Sequence, residues 1–191
     1  RPAVLWAMQE GYAEAVTETL ENSFGGLKDK SDILSALVSA AFNAVEDNYA
    51  DYLSDLMYCR ENSFLEELDG LNVEVIFKAA LRSSVAYMLL VRCGCPADKL
   101  FTSEDFQGVV NFNTIDTISR LGAAASDISE MLLREIEATV KDLQKTERKQ
   151  IRTVAKNQGA GHNESRKDER NGEDGTDLHN AGRLSDTRPG A

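Results

Sequence analysis

The chain has 191 residues, with 21 Lys or Arg against 32 Asp or Glu and a net charge of −11. Residues 1–143 hold 11 basic and 24 acidic side chains, net −13, while residues 144–191 hold 10 and 8, net +2. An acidic body repels phosphate backbones, which excludes general nucleic-acid binding by that part unless a local basic patch overrides the field. The longest fully apolar run, residues 85–91, is far shorter than the roughly eighteen residues of a membrane span, so no membrane partner is expected.

At the start, Val4, Leu5, Trp6 and Met8 form a short apolar segment. Residues 1–10 are read as the remnant of a preceding domain. The chain opens on Arg1 and closes on Arg188-Pro189-Gly190-Ala191 inside a polar stretch, so both ends are expected to continue into something longer.

Residues 11–145 read as a helical bundle. Tyr12, Ala15, Val16, Thr19 and Leu20 repeat at helical spacing until Gly25-Gly26 interrupts them, predicting a helix over 12–23. Ser31 or Asp32 then caps a long helix on which Leu34, Leu37, Val38, Ala41, Val45, Tyr49, Leu53 and Leu56 alternate in steps of three and four. A short helix is predicted around 63–68, ending at Gly70, and Asn72 is placed as the cap of a central helix running to Val91. Cys93-Gly94-Cys95-Pro96 breaks that helix. Thr102 with Asp105 three residues on has the pattern of a capping box, for a short helix through Val110. Asn113 or Thr114 opens the last part, where Ile115, Ile118, Leu121, Ala125, Ile128, Leu132, Ile136, Val140 and Leu143 keep the helical period. Gly122 and Ser126-Asp127 mark either a kink there or a division into two helices. No stretch alternates at period two, and no hairpin turn lies between strand-like runs.

From Lys145 onward there is no aromatic residue, and Ile151, Val154, Leu178 and Leu184 are the only large aliphatics. Burial on that scale does not offset the entropy of ordering about forty residues. Residues 146–191 are therefore read as a disordered polar linker, within which Arg148, Lys149 and Arg152 are mixed with acids and read first as solvated, with contact to nucleic acid as the alternative. The fold class that follows is all-α, an irregular multi-helix bundle with a disordered C-terminal tail.

Chemistry is sparse. Cys59, Cys93 and Cys95 are odd in number, and Cys93 and Cys95 are too close for easy disulfide geometry and short of the four ligands of a structural zinc site. They fit reduced thiols and a cytoplasmic location. The two histidines, His162 and His179, lie in the tail, away from a scaffold that positions a general base. No phosphate loop, dinucleotide fingerprint, zinc-protease motif or nucleophile elbow is present. Leu121-Gly122-Ala123-Ala124-Ala125 offers small residues that permit close helix packing. Asp47, Asp51 and Asp55, four residues apart, place three carboxylates on one face of the long helix. That spacing reads first as a solvated helix face; of the alternatives, a basic partner suits it better than a hard metal, whose ligands come from loops or several helices. No catalytic, cofactor-binding or metal-ligating residue is assigned, and Asp47, Asp51 and Asp55 are the candidate partner contacts.

Several strings are more specific than periodicity: Leu20-Glu21-Asn22-Ser23-Phe24-Gly25, Asn43-Ala44-Val45-Glu46-Asp47-Asn48, Ser63-Phe64-Leu65-Glu66-Glu67-Leu68, Phe112-Asn113-Thr114-Ile115-Asp116-Thr117-Ile118, and Ser126-Asp127-Ile128-Ser129-Glu130-Met131. Together they resemble the helical segment that follows the antirestriction-like amino-terminal domain of very large proteins of bacterial conjugative elements, described as DNA methylases or Swi/Snf-type helicases. The resemblance covers residues 5–191, including the linker around Asn163-Glu164-Ser165-Arg166. It implies a mobile-DNA setting in which single-stranded DNA is bound by the preceding domain, and motor and methyltransferase motifs lie downstream. None of those motifs is in this chain, so the resemblance assigns no residue a role.

The expectation is a non-catalytic spacer or docking module whose partners are neighbouring domains of such a parent, with DNA reached through the parent rather than through this segment. The alternative is a free-standing acidic helical interaction protein, a decoy that mimics DNA toward a restriction enzyme.

Overall fold

The computed structural model describes Met8 and residues 10–164, with side-chain surroundings through Lys156. It is all-α: helices α1 (Glu10–Phe24), α2 (Ile33–Cys59), α3 (Gly70–Arg92) and α4 (Ile115–Glu164), with a 3-10 turn at Ala97–Lys99 and a 3-10 helix at Ser103–Asn111 between the last two. No strand occurs among the described residues. The chain divides into two compact units, the first closing at Thr146 and the second opening at Glu147.

Each helix of the first unit forms because its apolar residues fall on one stripe, and side-chain caps satisfy the N-termini of α2 and α3. On α1, Tyr12, Val16 and Leu20 are buried at steps of four. Asp32 stops the chain at the head of α2 in extended conformation, and its carboxylate accepts from the Ser35 backbone N at 2.7 Å. The inward face of α2 begins with small residues, Ala36, Ala40, Ala41 and Ala44, beside Leu37 and Val45. Those alanines let neighbouring helices approach closely. α3 brings Val73, Phe77, Leu81, Val85, Leu89 and Leu90 into the same core, and α4 brings Leu121, Ile128, Leu132, Ile136 and Val140.

Polar contacts register the helices against one another. Thr19 of α1 and Thr139 of α4 share a hydroxyl hydrogen bond of 2.9 Å. The Tyr52 hydroxyl of α2 donates to Asp127 of α4 at 3.3 Å. Phe77 and Phe112 stack at a tilt with ring centroids 6.1 Å apart, pinning the end of the 3-10 helix under α3.

Helix α3 ends as its sequence requires. Gly94 takes a φ of 69°, a left-handed conformation that glycine enters without a Cβ clash. The Cys95 backbone N then reaches back to the Leu90 carbonyl and the Gly94 N to the Val91 carbonyl, the paired bonds of a Schellman cap. The expected capping box is also present, with Asp105 accepting from the Thr102 backbone N at 2.7 Å ahead of the 3-10 helix.

Three expectations change. Residues 63–68 form turns rather than a short helix, because their ends are tied elsewhere: Arg60 Nη1 donates to the Leu68 carbonyl at 2.6 Å and the Phe64 backbone N to Asn113 Oδ1 at 2.8 Å. Leu65, fully buried, is drawn from the middle of that loop into the core. The cap of α3 is Asp69, not Asn72; Asn72 instead supplies the backbone N and the side-chain amide that Asp69 accepts, at 2.9 and 2.7 Å. Finally, α4 is one unbroken helix through Gly122 and Asp127 and continues past Lys145 to Glu164. Strong helix formers among Lys145, Glu147, Arg148, Lys149, Gln150, Arg152, Ala155 and Lys156 sustain it there without burial.

Candidate functional site

The three carboxylates singled out from the sequence share one face of α2. At 100° per residue, steps of four hold Asp47, Asp51 and Asp55 within an arc of about 80°. All three are exposed. They are not equivalent. Asp55 accepts from Arg120 Nη1 of α4 at 3.1 Å and so is tied to its own protein. Neither Asp47 nor Asp51 pairs with a cation among the described residues. No group of three or more His, Cys, Asp or Glu is placed to hold a metal ion among those residues.

Beside this face lies a compensated cluster. Glu46 binds Lys78 at 3.2 Å and Arg82 at 2.7 Å, and Lys78 also meets Glu74 at 3.3 Å. The Tyr49 hydroxyl donates to Glu74 at 2.8 Å, and the Lys78 ammonium stands 4.4 Å from the centre of the Tyr49 ring. The bond to Glu74 raises the Tyr49 pKa, the bond from Tyr49 lowers that of Glu74, and the bond to Glu46 raises that of Lys78. Every shift favours the state in which the cluster is intact, so it fastens α2 to α3. Asp47 and Asp51 are left as uncompensated charge next to it.

A second feature, missed from the sequence, is an apolar cleft of about 370 Å³ between α3, the 3-10 helix and α4. Tyr87 and Met88 line it from α3, Phe106 and Val109 from the 3-10 helix, and Ile118, Leu121, Gly122 and Ala125 from α4. Tyr87, Phe101 and Phe106 meet edge-on or tilted at its side, with centroids 5.5 to 6.4 Å apart. Ser84 and Tyr87 supply its only hydroxyls, and it is lined by no carboxylate, imidazole, thiol or amine. Such a lining suits an apolar side chain, and no base among the lining residues stands by to activate the Ser84 or Tyr87 hydroxyl. The small run at 121–125 was the sequence signal. Ala124 and Ala125 do pack into the core, whereas no side chain fills the space beside Gly122.

The cysteines fall into different environments. Cys93 is fully buried, and burial pushes its thiol pKa up to about 12; burial also raises that of Cys95. The thiolate is the nucleophilic form, so neither is activated. Cys59 is half-buried and donates weakly to the Leu56 carbonyl at 3.6 Å. His162 falls on α4 but its side chain lies outside the described residues, as does all of His179. At the opposite end, Met8 packs against the core, and its backbone N donates to the Cys93 carbonyl at 3.1 Å; residues 1–7, with Val4, Leu5 and Trp6, lie outside the described range.

Comparison of the chain with protein-family models, with curated proteins and with solved structures gives no match. Among the described residues, no helix is long and apolar enough to cross a membrane.

Proposed function

We propose that the first unit is a non-catalytic docking and spacer module, working within a large DNA-processing protein of a mobile element. The observation that carries the docking role is the pair Asp47 and Asp51: two exposed carboxylates on a rigid helix, unpaired among the described residues, while the neighbouring charges on α2 are spent on holding α3 and α4. Uncompensated charge on a fixed scaffold steers and orients a basic partner surface more than it stabilises its own fold. The mobile-element setting rests on the resemblance of the strings around Asn43-Ala44-Val45 and Phe112-Asn113-Thr114.

The partner is a basic surface of an adjoining domain. In the chain extended to its neighbouring segments, carboxylate-to-lysine crosslinking is expected to join Asp47 or Asp51 to that domain. Reversing both charges, Asp47→Lys with Asp51→Lys, is expected to remove every crosslink between the first unit and that domain, those from its other carboxylates included, and leave the helical circular dichroism unchanged. Crosslinks that persist in the double variant overturn the docking role. Hydrolysis of nucleotide or transfer of a methyl group by the 191-residue chain alone overturns its non-catalytic character.

A further inference from the structure

We infer that the part of α4 in the second unit presents a binding surface for the phosphate backbone of double-stranded DNA, made by Arg148, Lys149, Arg152 and Lys156. This goes beyond the docking role, in which DNA is left to other parts of a parent protein. In the linear sequence these cations are mixed with Glu147, Gln150 and Thr153 and have no evident order. Helical geometry sorts them. At 100° per residue the four lie within an arc of about 100°, and Ile151, Val154 and Glu147 fall on the far side.

All four are exposed, and none forms an ion pair among the described residues. That distinguishes them from the cations just upstream on the same helix, since Lys141 is held by Glu137 at 2.6 Å and Lys145 by Asp142 at 2.8 Å. Arg148 and Arg152, and Arg152 and Lys156, are like charges four apart, an arrangement that destabilises a helix in isolation. A polyanion relieves that repulsion.

Spacing selects the kind of polyanion. From 148 to 156 the helix rises about 12 Å. One strand of B-DNA carries a charge every 3.4 Å or so, hence about four phosphates over that length, equal in number to the four cations, whose long side chains take up the uneven rise between them. Single-strand binders add aromatic platforms on which bases stack, and α4 contains no Phe, Tyr or Trp. Double-stranded RNA is recognised largely through its 2′-hydroxyls across a wide minor groove, and four Lys and Arg side chains, donors only, have no acceptor for a hydroxyl proton. An interfacial membrane helix needs a broad apolar face, and here only Ile151 and Val154 stand opposite the cations. The cationic face has no Asn or Gln between the four residues to read base edges, so the contact is with the backbone and independent of sequence.

The test is fluorescence anisotropy of a short labelled DNA duplex titrated with the 191-residue chain at several NaCl concentrations. Neutralising four phosphates predicts a log–log slope near −3.6, so the association constant should fall on the order of 100-fold between about 50 and 200 mM salt. The variant Lys149→Glu with Arg152→Glu is expected to abolish binding. The swap Lys149→Arg with Arg152→Lys is expected to preserve it, and circular dichroism of both variants reports whether the helix persists. A single strand of the same sequence, duplex RNA, and vesicles of equal parts phosphatidylserine and phosphatidylcholine serve as competing ligands. Duplex binding that survives the charge reversal with the helix intact overturns the assignment, as does a single strand, RNA duplex or vesicle bound as tightly as the DNA duplex. Absence of binding at the lowest salt overturns it as well.

Discussion

Cys93 shows how burial alone sets the chemistry of a side chain. Its thiol has no exposed surface, and desolvation moves its pKa from an ordinary 9.0 up to about 12. Native protein at pH 8 is expected to leave Cys93 unlabelled by iodoacetamide while denatured protein is labelled there, as peptide mass mapping will show. The same shift has a consequence for stability. The folded state keeps the proton that the unfolded state loses above pH 9.0, so the contribution of Cys93 is complete below that pH and declines as pH rises toward about 12. Phe77 represents a different residue-scale effect, since it is fully buried and stacks on Phe112. Phe77→Ala leaves a cavity on α3 and is expected to cost about 3–5 kcal/mol in urea unfolding; a loss below about 1 kcal/mol, the range of tolerated swaps, means the site has collapsed around the smaller side chain.

Among the elements, α4 carries the clearest test. Gly122 sits within the helix, its φ is not positive, and a Cβ built there meets nothing within 4 Å. Replacing it with alanine adds a methyl group in open space and removes glycine's excess entropy in the unfolded chain. Gly122→Ala is expected to stabilise by about 0.5–1 kcal/mol, read as a rise in urea midpoint without a change in slope. A destabilisation means the cleft beside Gly122 closes in solution. Sequence alone leaves two forms open here, since glycine and a Ser-Asp pair inside a periodic run are compatible with a kink or with a division into two helices. There is no division, because Leu121, Ala124, Ala125 and Ile128 all bury on the same face of one continuous helix. At 63–68 the reverse occurred. Helical spacing was present, but the hydrogen bonds from Arg60 to Leu68 and from Phe64 to Asn113 are tertiary or loop-spanning and leave no trace in local periodicity.

For the whole molecule, the burial pattern predicts where proteases act first. The described basic residues before Lys145 lie on helices or in the connections between them, whereas all side chains from Lys145 to Lys156 are exposed. Trypsin is expected to cut early at Arg148, Lys149, Arg152 and Lys156 and to leave a resistant fragment ending near Lys145, identifiable by intact mass. Early cleavage at Lys28, Lys30 or Lys99 means that the connections between helices open more readily than α4.

The all-α class, the stripe on α2, the Thr102–Asp105 box and the stop at Cys93-Gly94-Cys95 were legible in the sequence, because caps and helical periods are local and each is encoded within a few residues. The candidate acidic face was legible for the same reason, as three positions four apart. Tertiary structure decided which of its carboxylates remains uncompensated, since Arg120 reaches Asp55 across 65 residues of chain and does not reach Asp47 or Asp51. It also decided the cleft, whose walls come from three separate elements, α3, the 3-10 helix and α4. Periodicity reports which side of one helix is apolar. Which partners meet there, and where a gap or a charge is left over, depends on distances between elements that no local pattern contains.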